Sequence, residues 1–123
     1  MRGSIDPAGR VLHARCQEWY AKQLATLLSK LGEKDPLDPA HTILENSVVL
    51  WCSEIADGQA HNCQSLPLVM MGGGGGYLKG KQIVNLGARS HAGLLLSLCE
   101  SMGVNGIDVG NGGAAGALRE VKA

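Results

Sequence analysis

Two uninterrupted apolar runs, residues 47–53 (SVVLWCS) and 66–71 (LPLVMM), constrain this chain more than any other feature. Neither alternates apolar with polar side chains, as a strand with one wet face does; each is continuous, strand-sized and partly β-branched. Such runs are expected as strands covered on both faces, the habit of sheets in α/β proteins. The material to cover them is limited. The chain holds 2 Trp, 2 Tyr and no Phe, so its core is expected to be aliphatic and to pack small residues closely. A single domain of 123 residues can bury roughly two-thirds of its unfolded surface. A second copy is the expected source of further burial, which makes the chain a homodimer on this reading.

Helical patterns flank the two runs. Asp6 and Pro7 supply an N-cap followed by proline at the first helical position, and Leu12, Cys16, Trp19, Tyr20, Leu24, Leu27, Leu28 and Leu31 recur at steps of three and four. This predicts an amphipathic helix closed by Gly32 in a left-handed cap. A polar linker over residues 33–38 follows, with Pro36 and then Pro39, and Asp38-Pro39 predicts a short helical turn through Glu45. Residues 82–86 read as a short third strand. Ser90 then caps a helix carrying Leu94, Leu95, Leu98 and Met102, which Gly103 closes. The expected fold class is α/β, a small sheet of about three strands packed against an N-terminal and a C-terminal helix.

Residues 1–4 (MRGS) read as a vector-derived leader, residues 5–109 as one domain, and residues 110–123, rich in Gly and Ala, as a surface strap or tail with little to bury. No secretory signal is read at the start. Of the 18 glycines, 14 lie after residue 70, mainly in the 72–76 string and the C-terminal segment, where they mark loops. The 11 basic and 11 acidic side chains cancel, which removes the footprint of a nucleic-acid or acidic-membrane binder. No apolar run approaches the roughly 18 residues of a membrane span. Cys16, Cys52, Cys63 and Cys99 are scattered with no C-x-x-C pair, so a zinc ribbon and a thioredoxin motif are both excluded; Cys16 and Cys99 are expected as small hydrophobes on helical faces.

Chemistry concentrates just after the first apolar run. Cys52, Glu54, Asp57, His61 and Cys63 place five metal-ligating residue types within residues 52–63, starting where a strand ends. Ligands of open α/β sheets collect outside the carboxyl ends of strands, so Glu54 stands where a working carboxylate belongs. A carboxylate with an imidazole suits Zn, Mn or Fe. The alternative is a solvated Asp57-Gly58 turn. His91, one residue past a helix cap, is the further candidate ligand, while His13 and His41 read as surface or capping residues. The glycine string 72–76 invites a phosphate cradle but lacks the Lys-Ser/Thr ending of a P-loop, and reads better as a turn that lets strand and loop approach closely. Lys79, Lys81 and Arg89 just beyond it could offer charge to an anionic substrate.

The run 44–54 (LENSVVLWCSE), then His61, then 66–76 (LPLVMMGGGGG), with Lys79-Gly80-Lys81 and a late apolar helix ending Met102-Gly103-Val104, resembles the C-terminal part of a family of uncharacterised bacterial secreted proteins. That family is similar to the alkaline phosphatase and sulfatase superfamily. The resemblance spans residues 11–109 and implies a partial alkaline-phosphatase-like core, with Glu54 as the strand-end metal-binding acid and His61 as the later metal-binding His. Ile55 stands where the superfamily often has a His directly after that acid. The superfamily's nucleophile and first metal-binding acid belong to a more N-terminal region without a counterpart here, so the chain is expected to be part of a larger domain. On this resemblance the expected activity is metal-dependent hydrolysis of phosphate diesters or activated triesters by a metal-bound hydroxide, with Zn before Mn or Fe. Glu54, His61, Asp57 and His91 would hold the metal, and Lys79, Lys81 and Arg89 would stabilise charge. The other expectation is a non-catalytic fragment that binds metal or associates with itself.

Overall fold

A computed structural model describes residues 6–87, 89–109 and 116–123. The chain is a small α/β fold of two helices and a two-stranded antiparallel sheet, in the order α1 (Pro7–Leu31), β1 (Val49–Cys52), β2 (Leu68–Met71), α2 (His91–Ser101), with a final 3-10 turn at Arg119–Val121. Helix α1 begins as its sequence requires: the Asp6 carboxylate accepts the Ala8 and Gly9 N–H groups at 3.1 and 3.0 Å, and Pro7 fills the first position. Its end departs from expectation. Gly32 keeps right-handed geometry (φ −72°, ψ −6°) rather than a left-handed cap, because its N–H still reaches the Leu28 and Ser29 carbonyls and the chain reverses later. The reversal is fixed by Leu44 N–H donating to the Leu31 carbonyl at 2.7 Å and Ile43 N–H to Glu33 at 3.0 Å.

Residues 38–45 form successive turns in place of the expected helical turn. Their side chains take over the capping. Thr42 N–H and Oγ1 both donate to the Glu45 carboxylate, and Glu45 N–H donates back to Thr42 Oγ1 at 3.1 Å, a reciprocal box encoded by the T-x-x-E spacing. Asn46 donates to Asp35 and Asp38, and His41 Nδ1 lies 2.7 Å from the Asp38 carboxylate.

The two apolar runs do become strands, but as an antiparallel pair with Val49 opposite Met71 and Cys52 opposite Leu68. One face of the pair carries Leu50, Leu68 and Met70 onto the core; Val69, on the other face, stays exposed. Residues 82–86, expected as a third strand, pair with no strand among the described residues. A pleated pair with one packed face is the arrangement antiparallel strands tolerate and parallel ones do not.

The core closes from the C-terminal side. Leu94 of α2 clusters with Leu118 and Val121, and Leu50, Leu68, Met70, Leu78 and Leu86 pack around them. Residues 110–123 were expected to bury little; residues 110–115 lie outside the described part, but Leu118 is 1% exposed and Val121 6%. The approach depends on small residues in α2, since a Cβ at Gly93 would stand 3.0 Å from both the Gly116 carbonyl and the Leu118 side chain. Ser97, wholly buried, donates from Oγ to the Gly93 carbonyl at 2.9 Å and accepts the Leu118 N–H at 2.7 Å. Lys79 N–H then donates to Val121, and Ala123 N–H to Tyr77, each at 2.8 Å.

Tyr77 adds a polar clasp, its hydroxyl donating to Glu100 at 2.7 Å while the Lys122 ammonium sits 5.0 Å from the centre of its ring. The phenol is pushed up to about 12 by burial first and by the Glu100 hydrogen bond second.

Leu118→Ala is expected to cost about 2–4 kcal/mol of unfolding free energy in urea titrations, since the cavity opens among fixed neighbours. Ser97→Ala is expected to cost about 1–3 kcal/mol, because the buried Leu118 N–H loses its acceptor. The folded state also holds the Tyr77 proton more tightly than an unfolded chain, whose phenol titrates near pH ~10. The resulting stability is whole below that value and is lost as pH rises toward about 12. Thermal melts across that window should fall less steeply for Tyr77→Phe than for the parent.

Candidate functional site

The strand-end loop is built by local hydrogen bonds. β1 stops at Cys52, so Glu54 lies past the strand rather than in register with it, and is exposed. Ser53 Oγ donates to the Ile55 carbonyl at 3.0 Å. The Asp57 carboxylate accepts the Gln59 and Ala60 N–H groups at 2.9 and 3.1 Å, an Asx turn that the Asp57-Gly58 pair encodes. Ala56 N–H donates to the Asn62 carbonyl at 2.9 Å and closes the loop, with His61 in the left-handed region (φ +53°) at its tip. The thiol of Cys63 donates to the Glu54 carbonyl at 3.0 Å and ties the two ends together.

As a metal centre this donor set is incomplete. Among the described residues, no three His, Cys, Asp or Glu side chains converge to hold an ion. One Asp57 oxygen, Oδ1, serves the turn, and His91 lies elsewhere, on the first residue of α2. Cys16, expected to pack, is exposed, while Cys99 is half-buried.

The glycine string is structural. A Cβ at Gly72 would fall on the Ser47 carbonyl and stand 2.8 Å from that of Leu44, and one at Gly73 would fall on the Glu45 carbonyl. The N–H groups that a phosphate would need are already committed: Gly73 donates to Leu44, Gly74 to Ser47 and Gly75 to Glu45, at 3.0–3.1 Å. These bonds dock residues 44–47 against the end of β2.

The residues expected to stabilise charge do come together. Lys79, Lys81, Arg89 and His91 all border one open cleft of about 840 Å³ whose floor includes Leu68, Met70, Leu94 and Val121. No Asp or Glu is among the described residues lining it, in a chain with 11 acidic side chains. Arg89 is fixed at the rim by a 2.6 Å ion pair with Glu120, and Gln82 anchors the intervening segment by donating to the Lys79 and Glu120 carbonyls. Lys81 occupies the left-handed region (φ +59°), which turns the backbone between Lys79 and Gln82. Glu54, Asp57 and His61 do not line this cleft; Cys63 does, and through its bond to Glu54 it is the junction between loop and cleft. The sequence pointed to the cations but not to the wall formed by residues 82–87, whose only local signal is the Gln82 and Asn85 side chains that bond to nearby backbone.

The chain matches no family model, no curated protein and no solved structure. No helix among the described residues is long and apolar enough to cross a membrane.

Asp57→Ala is expected to release the loop tip without unfolding the protein. Amide exchange of Gln59 and Ala60 should quicken by about fivefold, in keeping with the loss of roughly 1 kcal/mol of local hydrogen bonding. Unchanged exchange would show that the turn does not depend on the carboxylate.

Proposed function

We propose that this chain handles a phosphate ester, holding its anionic group in the cleft bordered by Lys79, Lys81, Arg89 and His91. The observation that carries the reading is the sign of the lining: Lys79, Lys81 and His91, with Arg89 balanced at the rim by Glu120 and no Asp or Glu among the described lining residues, in a molecule of zero net charge. Such a surface lowers the energy of an anion beside Lys79 and Lys81, and the apolar floor reduces solvent screening there. At about 840 Å³ the cleft is far larger than a bare phosphate needs and suits an ester with an organic body.

Hydrolysis of diesters or activated triesters belongs to the same proposal, supported by the resemblance to the alkaline phosphatase and sulfatase superfamily. So does a third strand from residues 82–86 in a fuller alkaline-phosphatase-like core. Zinc, or else Mn or Fe, is the cofactor on that view, with Glu54 and His61 the donors to which it is assigned. Among the described residues those donors do not form a complete set. The part assigned to these residues is recognition: Lys79 and Lys81 meet the phosphate oxygens, Arg89 is held in place by Glu120, and His91 donates from the start of α2.

Titration of the chain with bis(p-nitrophenyl) phosphate, followed by calorimetry and amide shifts, is the test. Binding should persist in EDTA, and Lys79→Glu and Lys81→Glu should each weaken it by about tenfold, or ~1.4 kcal/mol. No saturable binding, or binding indifferent to both variants, would sink the reading. Turnover on adding Zn, Mn or Fe that is lost in Glu54→Ala and His61→Ala would establish the hydrolase; binding without turnover at any metal would leave a phosphate-ester binding module.

A further inference from the structure

We propose that helix α1 is a docking surface for a second copy of this chain, its apolar stripe and positive charge seating against the acidic segment 33–57 of that copy. The chain's surface is large for its mass. The chain exposes 9217 Å² at a mass of 12.8 kDa, whereas a compact monomer of that mass exposes about 6,300 Å². The excess is larger than the ~800 Å² that each partner contributes to a standard interface.

Helix α1 contributes to this exposure. None of its 25 residues is buried, and residues 6–20 are exposed without interruption. Ala21, Leu24, Leu28 and Leu31 are half-buried and mark the one side that rests on the rest of the chain. At 100° per residue, Leu12, Cys16, Trp19, Tyr20 and Leu27 fall on the adjoining side, so the apolar arc is about twice as wide as the part that is covered. Trp19 and Tyr20 are 57% and 56% exposed and meet edge to face with ring centres 5.1 Å apart. A paired Trp and Tyr left in water is the kind of anchor on which interfaces concentrate their energy.

Charge selects the occupant. Within α1, Arg10, Arg15, Lys22 and Lys30 oppose only Glu18, a net of +3. Within residues 33–57, Glu33, Asp35, Asp38, Glu45, Glu54 and Asp57 oppose only Lys34, a net of −5. Hydrogen bonds from Asn46, His41 and Thr42 hold the Asp35, Asp38 and Glu45 carboxyls below their ordinary range, so these stay ionised. Packing α1 on α1 would set +3 against +3. Crossing each α1 onto the other copy's acidic segment sets opposite signs together twice under one two-fold axis, the closed arrangement that dimers favour.

Sedimentation velocity of the whole chain should give twice 12.8 kDa, with a dissociation constant that rises as salt is added. Leu12→Glu with Trp19→Glu should yield a monomer of unchanged circular dichroism, since both side chains are already in water. Arg10→Glu with Arg15→Glu should weaken the dimer by at least about tenfold. In a Trp51→Phe background, Trp19 emission should shift to the blue as dimer forms. A monomer at millimolar concentration would overturn the proposal, as would a dimer indifferent to the Leu12 and Trp19 changes. So would a monomer that sediments with phosphatidylserine vesicles through Trp19, because α1 would then serve a lipid surface.

Discussion

The buried hydroxyl of Ser97 is the point on which the fold turns. It closes two requirements at once, giving its proton to a carbonyl one helical turn back and taking the Leu118 N–H that would otherwise be stranded away from water. With that bond made, Leu118 and Val121 enter the space between α2 and the β-hairpin, and the hairpin acquires something to pack on. A two-stranded pair alone is marginal in water. Here the second layer is a helix turn and a short terminal segment, and Gly93 supplies the close approach that lets them meet.

How much of this could be read from residues alone depended on range. The start of α1 was legible because Asp6 and Pro7 act on their immediate neighbours, and α2 was legible for the same reason through Ser90. The apolar runs announced strands, but not their pairing: a continuous run says that side chains are apolar on both faces, and cannot say whether both faces find cover. Leu118 and Val121 were hidden by their setting, two aliphatic residues after a glycine-rich stretch whose partners lie more than twenty positions away. Gly32 misled because a glycine after a helix permits a left-handed cap without compelling one.

The candidate site divides along the same line. Lys79, Lys81 and Arg89 were visible as cations near a turn, and the cleft that gathers them with His91 depends on the C-terminal segment reaching Lys79 and Arg89 from the other side. Asp57 was visible as a donor, but an aspartate two residues before a free N–H has a nearer use than a metal. The glycine string was open to an anionic reading until its N–H groups were traced to the carbonyls of residues 44–47. In each case the deciding fact was which partner had already claimed the polar group, a near neighbour for Asp57 and a distant one for the glycine string.

The position of Leu118 and Val121 also bears on how the chain is made. A ribosome delivers α1, both strands and α2 before it delivers either of these residues, so the apolar face of Leu50, Leu68 and Met70 is synthesised well ahead of the side chains that seal it. During that interval a paired but uncovered hairpin is open to neighbouring nascent chains, the circumstance in which strand pairs recruit chaperones or one another. The order of synthesis holds back closure of this core until residues 118–121 have been made.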